Sequence, residues 1–259
     1  MKEEIKILAQ KTVDRVCRKI KRSISTEFYK FENNIGLGAD GTVTKYVDKI
    51  AEDAALDFIN KSKVKVNVLS EEIGFIDNSS KYTFVLDPID GTRNASRGIP
   101  FYSVSLAVGK SKISDISYGI VKNIPTGDIF IAEKGHGAFH NNRQIGVPEI
   151  PCKEILSSLT LGKNYDKVTL KLAKKDKVRS LGSASLEMCM VAIGALDFFV
   201  VGKEYLRIVD IAASTLILRE AGGIVTNILG KDLDMAFSLD ERTSVIAACN
   251  EDIVKKIIT

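Results

Sequence analysis

The chain has 259 residues, of which 45% are hydrophobic, and its 37 lysines and arginines exceed its 33 acids by four. This size and composition suit a soluble globular protein with a sizeable core. No apolar run is long enough to span a bilayer, and the first residues lack the apolar segment of a signal peptide, so we expect a cytoplasmic protein. Interspersed charges and an aromatic content of 7% argue against a nucleic-acid or membrane partner.

The cysteines and histidines argue against a zinc enzyme. No C-x-x-C pair occurs, and the four cysteines lie far apart in the sequence: Cys17, Cys152, Cys189 and Cys249. Three of them, all except Cys152, have apolar or helical neighbours and are predicted to be buried reduced thiols. The two histidines, His136 and His140, lie in a turn-rich segment, where we expect surface or hairpin residues.

The N-terminal part is predicted to contain two helices joined by a loop. Apolar residues at helical spacing predict an amphipathic helix over residues 3–24. The glycine- and asparagine-rich segment 31–42, which carries Asp40, is typical of a mobile loop. A second helix is predicted over about residues 44–60, with Thr44 as its N-terminal cap.

Two acids end the first predicted strand. The alternating segment 64–69 predicts this strand, and Glu71 and Glu72 follow it directly. Adjacent carboxylates at a strand end are costly unless water or cations compensate their charge. This pair is therefore a candidate for cation binding.

The segment that follows the next strand has the sequence D-P-I-D-G-T. The apolar strand 82–86 is expected to stop at Pro88, which has no N–H and disfavours helix in the residue before it. Asp87 and Asp90 would then lie on a stiff bend, where carboxylates bind hard divalent cations well. The amides of residues 91–93 would head a turn or short helix and attract an anion. An ordinary Asp-Pro/Asp-Gly turn is the alternative.

The rest of the chain predicts a layered α+β fold. Successive strand-like runs predict an antiparallel meander over residues 101–132, followed by a hairpin over 135–142. Beyond residue 150 strands alternate with helices. The predicted elements are strands 155–161, 196–201, 224–226 and 243–248, and helices 185–195, 210–221 and 251–258. We expect one unit with two lobes, residues 1–150 and 151–259.

Several acids share one context, next to a glycine or turn at a strand end or helix start: Glu71, Asp87, Asp90 and Asp210. Each has an ordinary interpretation on its own, as Asp210 could merely cap a helix and Asp48 could be a surface acid. Together, converging carboxylates without histidine or cysteine suit Mg²⁺ or Mn²⁺. Two such ions roughly 4 Å apart can activate a water and stabilise the leaving oxygen of a phosphate ester. Because no P-loop sequence is present, a phosphohydrolase explains the acids better than a kinase.

Five segments that span most of the chain occur in a characteristic order: 70–72 (SEE), 86–92 (LDPIDGT), 182–184 (GSA), 209–213 (VDIAA) and 220–223 (EAGG). Together they resemble the signatures of the inositol monophosphatase superfamily. The segment 38–44 and Asp48 are similar in particular to the archaeal branch, whose members act as fructose-1,6-bisphosphatase and often as inositol monophosphatase. Val209, where the animal enzymes have tryptophan, also favours that branch.

The resemblance implies a fold and a set of metal ligands. The family fold is a layered αβαβα sandwich, and family members are usually homodimers. Glu71 and Asp87 would hold the first Mg²⁺ together with the Ile89 carbonyl. The second Mg²⁺ would be held by Asp87, Asp90 and Asp210.

The resemblance also implies a third cation site and a water-activating pair. Asp40 and Glu72 would serve a third, weaker ion on the loop. Thr92 paired with Asp48 would orient and help deprotonate the attacking water. With Glu71, these two residues are the catalytic candidates.

Substrate contacts are the last implication of the resemblance. Asp90, Gly91 and Thr92 would present amides or a hydroxyl to the phosphate. The sugar or inositol would lie against the turn at 182–184, that is Gly182, Ser183 and Ala184.

A bisphosphate substrate also needs a distal cation. Arg179, directly before a turn, is the best candidate because arginine grips phosphate bidentately. The weaker candidates are Lys174, Lys175, Lys203 and Arg207. The predicted substrates are fructose 1,6-bisphosphate and then inositol 1-phosphate. The alternatives are 3′-phosphoadenosine 5′-phosphate as substrate, or a non-catalytic regulator that binds metal or phosphate.

Overall fold

A computed structural model describes residues 1–39, 41–148, 154–161, 166–175 and 177–259. Asp40 and Cys152 lie outside these residues, whereas Cys17, Cys189 and Cys249 are buried as expected. The α-helices within the described residues are α1 (Glu3–Glu27), α2 (Tyr46–Asn60), α3 (Thr92–Arg97), α4 (Lys167–Ala173), α5 (Ala184–Ala192), α6 (Ile208–Glu220) and α7 (Glu251–Ile258). None of them combines the length and apolarity that crossing a membrane requires.

The strands form a two-stranded hairpin and two larger sheets. Those of the hairpin and the first sheet are β1 (Asn34–Leu37), β2 (Val43–Lys45), β3 (Asn67–Ser70), β4 (Gly74–Ile76), β5 (Thr83–Asp90), β6 (Ser103–Gly109), β7 (Tyr118–Asn123), β8 (Ile129–Glu133), β9 (Ala138–His140) and β10 (Arg143–Ile145). Those of the second sheet are β11 (Leu156–Leu159), β12 (Lys177–Arg179), β13 (Phe198–Leu206), β14 (Ile224–Thr226) and β15 (Thr243–Ala248).

The first sheet has the strand order β10-β9-β8-β7-β6-β5-β3-β4. Its neighbours are antiparallel except for β3 and β5, which run parallel. The predicted meander is therefore confirmed, although its middle strand begins at Tyr118 because residues 113–115 form a short 3₁₀ turn. The second sheet has the order β12-β11-β13-β15-β14, and β11 is parallel to both of its neighbours.

Helices and sheets alternate in layers. Helices α1 and α2 pack against one face of the first sheet, and α5 and α6 lie between the two sheets. Helices α4 and α7 pack against each other and against the second sheet. This is the predicted αβαβα order of an α+β protein, and both faces of the first sheet are covered. The two-lobe division at residue 150 stays a prediction.

Alternation along β5 decides which layer each side chain faces. Phe84 and Leu86 belong to the hydrophobic cluster that contains α1 and α2, whereas Val85 belongs to the cluster that contains α5 and α6. Because successive side chains of a strand point to opposite faces, Asp87 faces the same layer as Val85. The side chain of Asp87 is thereby directed towards α5 and α6.

Three local predictions were wrong. Residues 31–42 do not form an irregular loop throughout, because β1 pairs there with β2 as a hairpin. Strand β5 does not stop at Pro88 but continues to Asp90. Thr44 does not cap α2, since the cap position is Lys45 and the Thr44 hydroxyl donates to a carboxylate oxygen of Glu72.

Candidate metal and phosphate site

A bulge at the end of β5 turns Asp87 and Asp90 to one face of the first sheet. Asp87 lies opposite Ser105 of β6 and Asp90 opposite Ser103, so three steps along β5 match two along β6. Residues three apart in a regular strand face opposite sides, and a one-residue bulge removes that difference. Pro88 lies inside the bulge, where the missing N–H costs no ladder hydrogen bond. The bulge therefore explains both the proline and the shared direction of the two acids.

Three carboxylates meet at the edge of the first sheet. Glu71 follows β3, Asp87 lies in β5 and Asp210 lies in the first turn of α6, and one oxygen of each falls within 4.8 Å of the others. Burial raises the pKa of Asp87 well above its usual range, and the neighbouring acids add to this. Burial likewise raises the pKa of Glu71 to about 8. An all-oxygen group whose charges repel one another fits a hard divalent cation such as Mg²⁺ or Mn²⁺.

Arg207 lies within this acid cluster. Its guanidinium contacts Glu71 Oε1 at 2.5 Å and Asp210 Oδ1 at 2.7 Å. Its backbone N–H donates to Asp210 Oδ2 at 2.7 Å, because Arg207 is the cap of α6 and Asp210 its third residue. Asp210 is therefore not the cap itself, and α6 begins two residues before it. The sequence suggested Arg207 only as a weak distal cation, since nothing in the pattern relates it to Glu71.

Asp90 is surrounded by hydrogen-bond donors at the start of α5. Its Oδ2 accepts hydrogen bonds from the Ser183 hydroxyl at 2.7 Å and from the Ser185 hydroxyl and N–H at 2.5 and 2.7 Å. Its Oδ1 accepts a longer bond, 3.3 Å, from the Ala184 N–H. Burial raises the pKa of Asp90 to about 6, and the two hydroxyl bonds oppose this rise. The N–H groups at the start of α5, which have no partner within the helix, thus compensate the negative charge of Asp90.

Thr92 and Asp48 form a pair beside the bulge. The Thr92 hydroxyl lies 2.8 Å from Asp48 Oδ1 and 3.2 Å from the Ile89 carbonyl oxygen. Asp48 is the third residue of α2, and its Oδ2 accepts the N–H of Lys45 at 3.0 Å. Burial raises the pKa of Asp48 to about 6, while the bond from Thr92 opposes the rise. Helix α2 thus holds Thr92 in place, in the pairing that the family resemblance implies.

Two turns from distant parts of the chain touch at Gly91 and Gly182. Gly91 has a φ of 97°, and a Cβ atom there would lie 3.1 Å from the Gly182 carbonyl oxygen. Asn94 of α3 joins the same turns, since its Nδ2 donates at 2.7 Å to the carbonyls of Leu181 and Phe101. The turn at 91–92, which the resemblance assigns to the phosphate, is therefore adjacent to the turn at 181–184, whose residues 182–184 it assigns to the sugar. We call them the phosphate-side turn and the sugar-side turn. Sequence analysis missed Asn94, which no local pattern distinguishes from an ordinary helix residue.

The residues assigned to a third cation are only partly described. The Glu72 side chain accepts the Thr44 hydroxyl, and its backbone carbonyl accepts the N–H of Ala39 at 2.9 Å. The hydrogen bond of Ala39 thereby links the hairpin to the turn after β3. Because Asp40 lies outside the described residues, a third site stays a prediction.

The distal basic residues lie on the surface. Arg179, Lys175 and Lys203 are all exposed. Arg179 ends β12 at the edge of the second sheet, and its Nη1 donates to the Val178 carbonyl at 3.0 Å. It lies two residues before Leu181 in the chain, at the start of the sugar-side turn. Its role as a phosphate clamp stays a prediction.

The histidines are hairpin residues. His140 stacks on Phe130, with ring centroids 4.4 Å apart. His136 is exposed, in a loop whose backbone donates two hydrogen bonds of 2.9 Å to Glu220. These bonds give Glu220, the first residue of the segment 220–223 (EAGG), a structural role, because they connect the end of α6 to the first sheet.

Comparisons with known proteins agree on one family. The family model described as inositol monophosphatase family matches residues 1–259. A fructose-1,6-bisphosphatase/inositol-1-monophosphatase of Methanothermobacter thermautotrophicus is 40% identical over 238 residues, which cover 86% of this chain and 85% of that protein. A bifunctional NADP phosphatase/NAD kinase of Methanocaldococcus jannaschii is 38% identical, and the match covers 97% of this chain. This chain spans about half of that bifunctional protein, 49% of its length.

Solved structures show the same fold. A crystal structure described as an inositol monophosphatase–fructose 1,6 bisphosphatase is 34% identical with a TM-score of 0.86, and the match covers 100% of this chain and 99% of the other. A Pyrococcus horikoshii protein, described as hypothetical with similarities to inositol-1 monophosphatase, is 36% identical with a TM-score of 0.81. That match covers 96% of each chain.

Proposed function

The chain belongs to the inositol monophosphatase family, and from that premise we propose that it is a Mg²⁺-dependent phosphomonoester hydrolase. Its preferred substrate is fructose 1,6-bisphosphate, from which it removes the 1-phosphate, and inositol 1-phosphate is the second. The observation that carries the proposal is the convergence of Glu71, Asp87 and Asp210 within 4.8 Å. Such a cluster beside the Thr92–Asp48 pair supports metal-assisted hydrolysis by water.

The acid cluster supplies the metal ligands. Glu71, Asp87 and the Ile89 carbonyl would hold one Mg²⁺, and Asp87, Asp90 and Asp210 a second. Mn²⁺ has the same ligand preference and would substitute. When bound, these ions polarise the phosphate and lower the pKa of a coordinated water.

Asp90 can take part although donors surround it. A carboxylate oxygen has two lone pairs, and Asp90 Oδ1 accepts a long bond of 3.3 Å from Ala184. This oxygen can therefore also accept a cation. A third, weaker ion at Glu72 and Asp40 remains part of the proposal.

Thr92 and Asp48 orient the attacking water and take its proton. The Thr92 hydroxyl donates to Asp48, so its oxygen can accept a hydrogen bond from the water. As the water oxygen bonds to phosphorus, the bond from phosphorus to the ester oxygen breaks, the water proton passes to Thr92 and the hydroxyl proton of Thr92 passes to Asp48. Solvent supplies the proton that the leaving sugar oxygen takes up. Burial raises the pKa of Asp48 to about 6, which makes it a better proton acceptor than an exposed aspartate.

The two adjacent turns bind the substrate on either side of the metal cluster. The N–H groups of Gly91 and Thr92 donate to the phosphate oxygens. The turn at Gly182, Ser183 and Ala184 lines the sugar side. Because Asn94 joins these turns, phosphate and sugar are held in one fixed relation.

A basic residue that contacts the second, distal phosphate would make the protein prefer a bisphosphate to a monophosphate. Arg179 is our first choice for this contact, with Lys175 and Lys203 behind it. All three are exposed and can therefore be reached by a ligand. We further propose that the protein is cytoplasmic and that it is a homodimer, the oligomeric state that the family resemblance implies.

NADP is a further candidate substrate. The relative whose name includes NADP phosphatase is 38% identical, and its match covers 97% of this chain. NADP carries a 2′-phosphate monoester that the same metal cluster could hydrolyse. The nucleotidase alternative, with 3′-phosphoadenosine 5′-phosphate, presents the same type of ester.

A panel of phosphate esters tests the proposal. Phosphate release is measured with Mg²⁺ on fructose 1,6-bisphosphate, inositol 1-phosphate, NADP and 3′-phosphoadenosine 5′-phosphate. We expect the highest kcat/KM on fructose 1,6-bisphosphate. A preference for NADP or the adenosine bisphosphate would overturn the substrate choice, and no hydrolysis of any ester would favour a non-catalytic regulator.

The same panel tests the distal clamp. Arg179→Ala should reduce kcat/KM more for fructose 1,6-bisphosphate than for inositol 1-phosphate, by about tenfold or more, since charge-assisted hydrogen bonds contribute about 1.5–3 kcal/mol each. Lys177→Ala, on the same strand and paired with Glu154, is the matched control. Equal losses on both substrates would remove Arg179 from this role.

A further inference from the structure

A buried glutamate of α2, Glu52, contacts the turn that carries Glu71. The Glu52 side chain is 3% exposed, and its Oε1 accepts the N–H of Ile73 at 3.1 Å. Burial raises its pKa, and the Ser70 side chain, together with hydrogen bonds from the backbone of Ile73 and Glu72, opposes the rise. A buried carboxylate is costly unless it is hydrogen-bonded, so this position calls for an explanation beyond packing.

Glu52 lies one helical turn after Asp48. Residues four apart share a helix face, so both acids of α2 point towards the site. Asp48 contacts Thr92 in the phosphate-side turn, and Glu52 contacts the turn at 71–73. Helix α2 thus joins the two turns on which the proposed chemistry depends.

The turn at 71–73 holds Glu71 close to two other acids. It must hold Glu71 so that its oxygen lies within 4.8 Å of those of Asp87 and Asp210, although the three acids repel one another. The hairpin fixes one side of the turn, through the hydrogen bond from the Ala39 N–H to the Glu72 carbonyl. On the side of α2, the Ile73 N–H donates to the carboxylate of the buried Glu52, which fixes the other side of the turn.

We propose that Glu52 is a positioning residue of the metal site, which holds the 71–73 turn by its backbone N–H groups and so places Glu71 for cation binding. The inference rests on the proposed metal-dependent function. Glu52 itself touches neither cation nor substrate. Its loss should therefore weaken metal binding while leaving the reaction of the metal-saturated enzyme largely intact.

Mn²⁺ binding without substrate tests this role. Titration calorimetry on the whole purified protein compares wild type, Glu52→Ala, Glu52→Gln and the control Asp53→Ala. Asp53 is the next residue of α2, is exposed and pairs with Lys49. We expect Mn²⁺ binding about 10–100-fold weaker for Glu52→Ala, the range seen when groups that orient a ligand are removed. The loss should be smaller for Glu52→Gln, which keeps one acceptor oxygen, and absent for Asp53→Ala.

Steady-state kinetics and melting curves separate positioning from a purely structural role. Positioning predicts a higher Mg²⁺ concentration for half-maximal rate, with kcat at saturating Mg²⁺ within about threefold of wild type. A lower melting temperature with unchanged Mn²⁺ affinity would overturn the inference. If Glu52→Ala does not fold, unchanged affinity in folded Glu52→Gln with an altered kcat would overturn it equally. A wild-type protein that binds no divalent cation would instead overturn the metal centre, and with it the role of Glu52.

Discussion

Asp87 and Asp90 lie three residues apart on one bulge, yet their surroundings are opposite. Asp87 faces Glu71 and Asp210, and burial together with these charges raises its pKa far above its usual range. Asp90 faces the hydroxyls and N–H groups at the start of α5, and its pKa rises only to about 6. The side chains are similarly buried, 2% and 8% exposed. The difference therefore comes from the neighbouring groups, not from access to water.

This contrast shows two ways to hold a buried carboxylate. Asp90 has its charge compensated by the protein, through hydrogen bonds from Ser183 and Ser185. Asp87 accepts the N–H of Ile89 at 3.0 Å, but its other near neighbours are acids. The positive charge of Arg207 lies near Asp87, but its guanidinium pairs with Glu71 and Asp210. The first environment joins the end of β5 to the start of α5, and the second is suited to receive a cation.

The largest expected effect comes from neutralising each acid in turn. Asp87→Asn should reduce phosphatase activity by about 10³-fold or more, because the amide is a weaker ligand for the cations on which the proposed hydrolysis depends. With EDTA present, the same change should raise the melting temperature, since it relieves repulsion among buried acids. Asp90→Asn should lower it, because the new amide presents N–H groups to the donors of α5, at a cost of about 1–3 kcal/mol. Differential scanning fluorimetry in EDTA measures both shifts, and shifts of the same sign would contradict the contrast.

The next largest effect is expected in the pH dependence of stability, which should reflect the acids around Asp87. The folded-state pKa of Glu71 is raised to about 8 from its usual value of 4.5. The native protein then holds a proton that the unfolded chain has released, so its stability should fall as pH rises from about 4.5 to about 8. Urea unfolding in EDTA at several pH values measures this slope. Saturating Mg²⁺ should flatten it, and an equally steep slope with Mg²⁺ would count against cation binding by the cluster.

The smallest effect is expected from single hydroxyls opposite or near the two acids. Ser185→Ala removes one donor to Asp90 and should cost about 0.5–1.5 kcal/mol, the net range for a typical hydrogen bond, because the donors from Ser183, Ala184 and the Ser185 N–H remain. Ser105, opposite Asp87, is the matched control, because its hydroxyl has no hydrogen-bond partner in the described part of the chain. Ser105→Ala should be neutral within about 0.5 kcal/mol. Equal losses of unfolding free energy for the two variants would erase the proposed difference.

Local signals in the sequence were sufficient for the layered fold and for the acids of the cluster. Glu71 and Asp87 were recognised because each ends a buried strand beside a turn, and Asp210 because it begins an apolar helix. These signals depend on neighbours in the chain, so one sequence contains them. The prediction that β5 stops at Pro88 was wrong because a bulge, which depends on pairing with β6, tolerates a proline.

The sequence by itself determined which acids are the candidate metal ligands, and that they lie at strand ends or at a helix start. Only the tertiary structure decided their surroundings: Arg207 reaches Glu71, Ser185 reaches Asp90, and Glu52 supports the turn that follows β3. These partners are separated by 136, 95 and 21 residues along the chain, and no local pattern relates them. Electrostatic surroundings are a property of distance in space, so the pKa of each acid and its counter-charge appear only once the layers have packed.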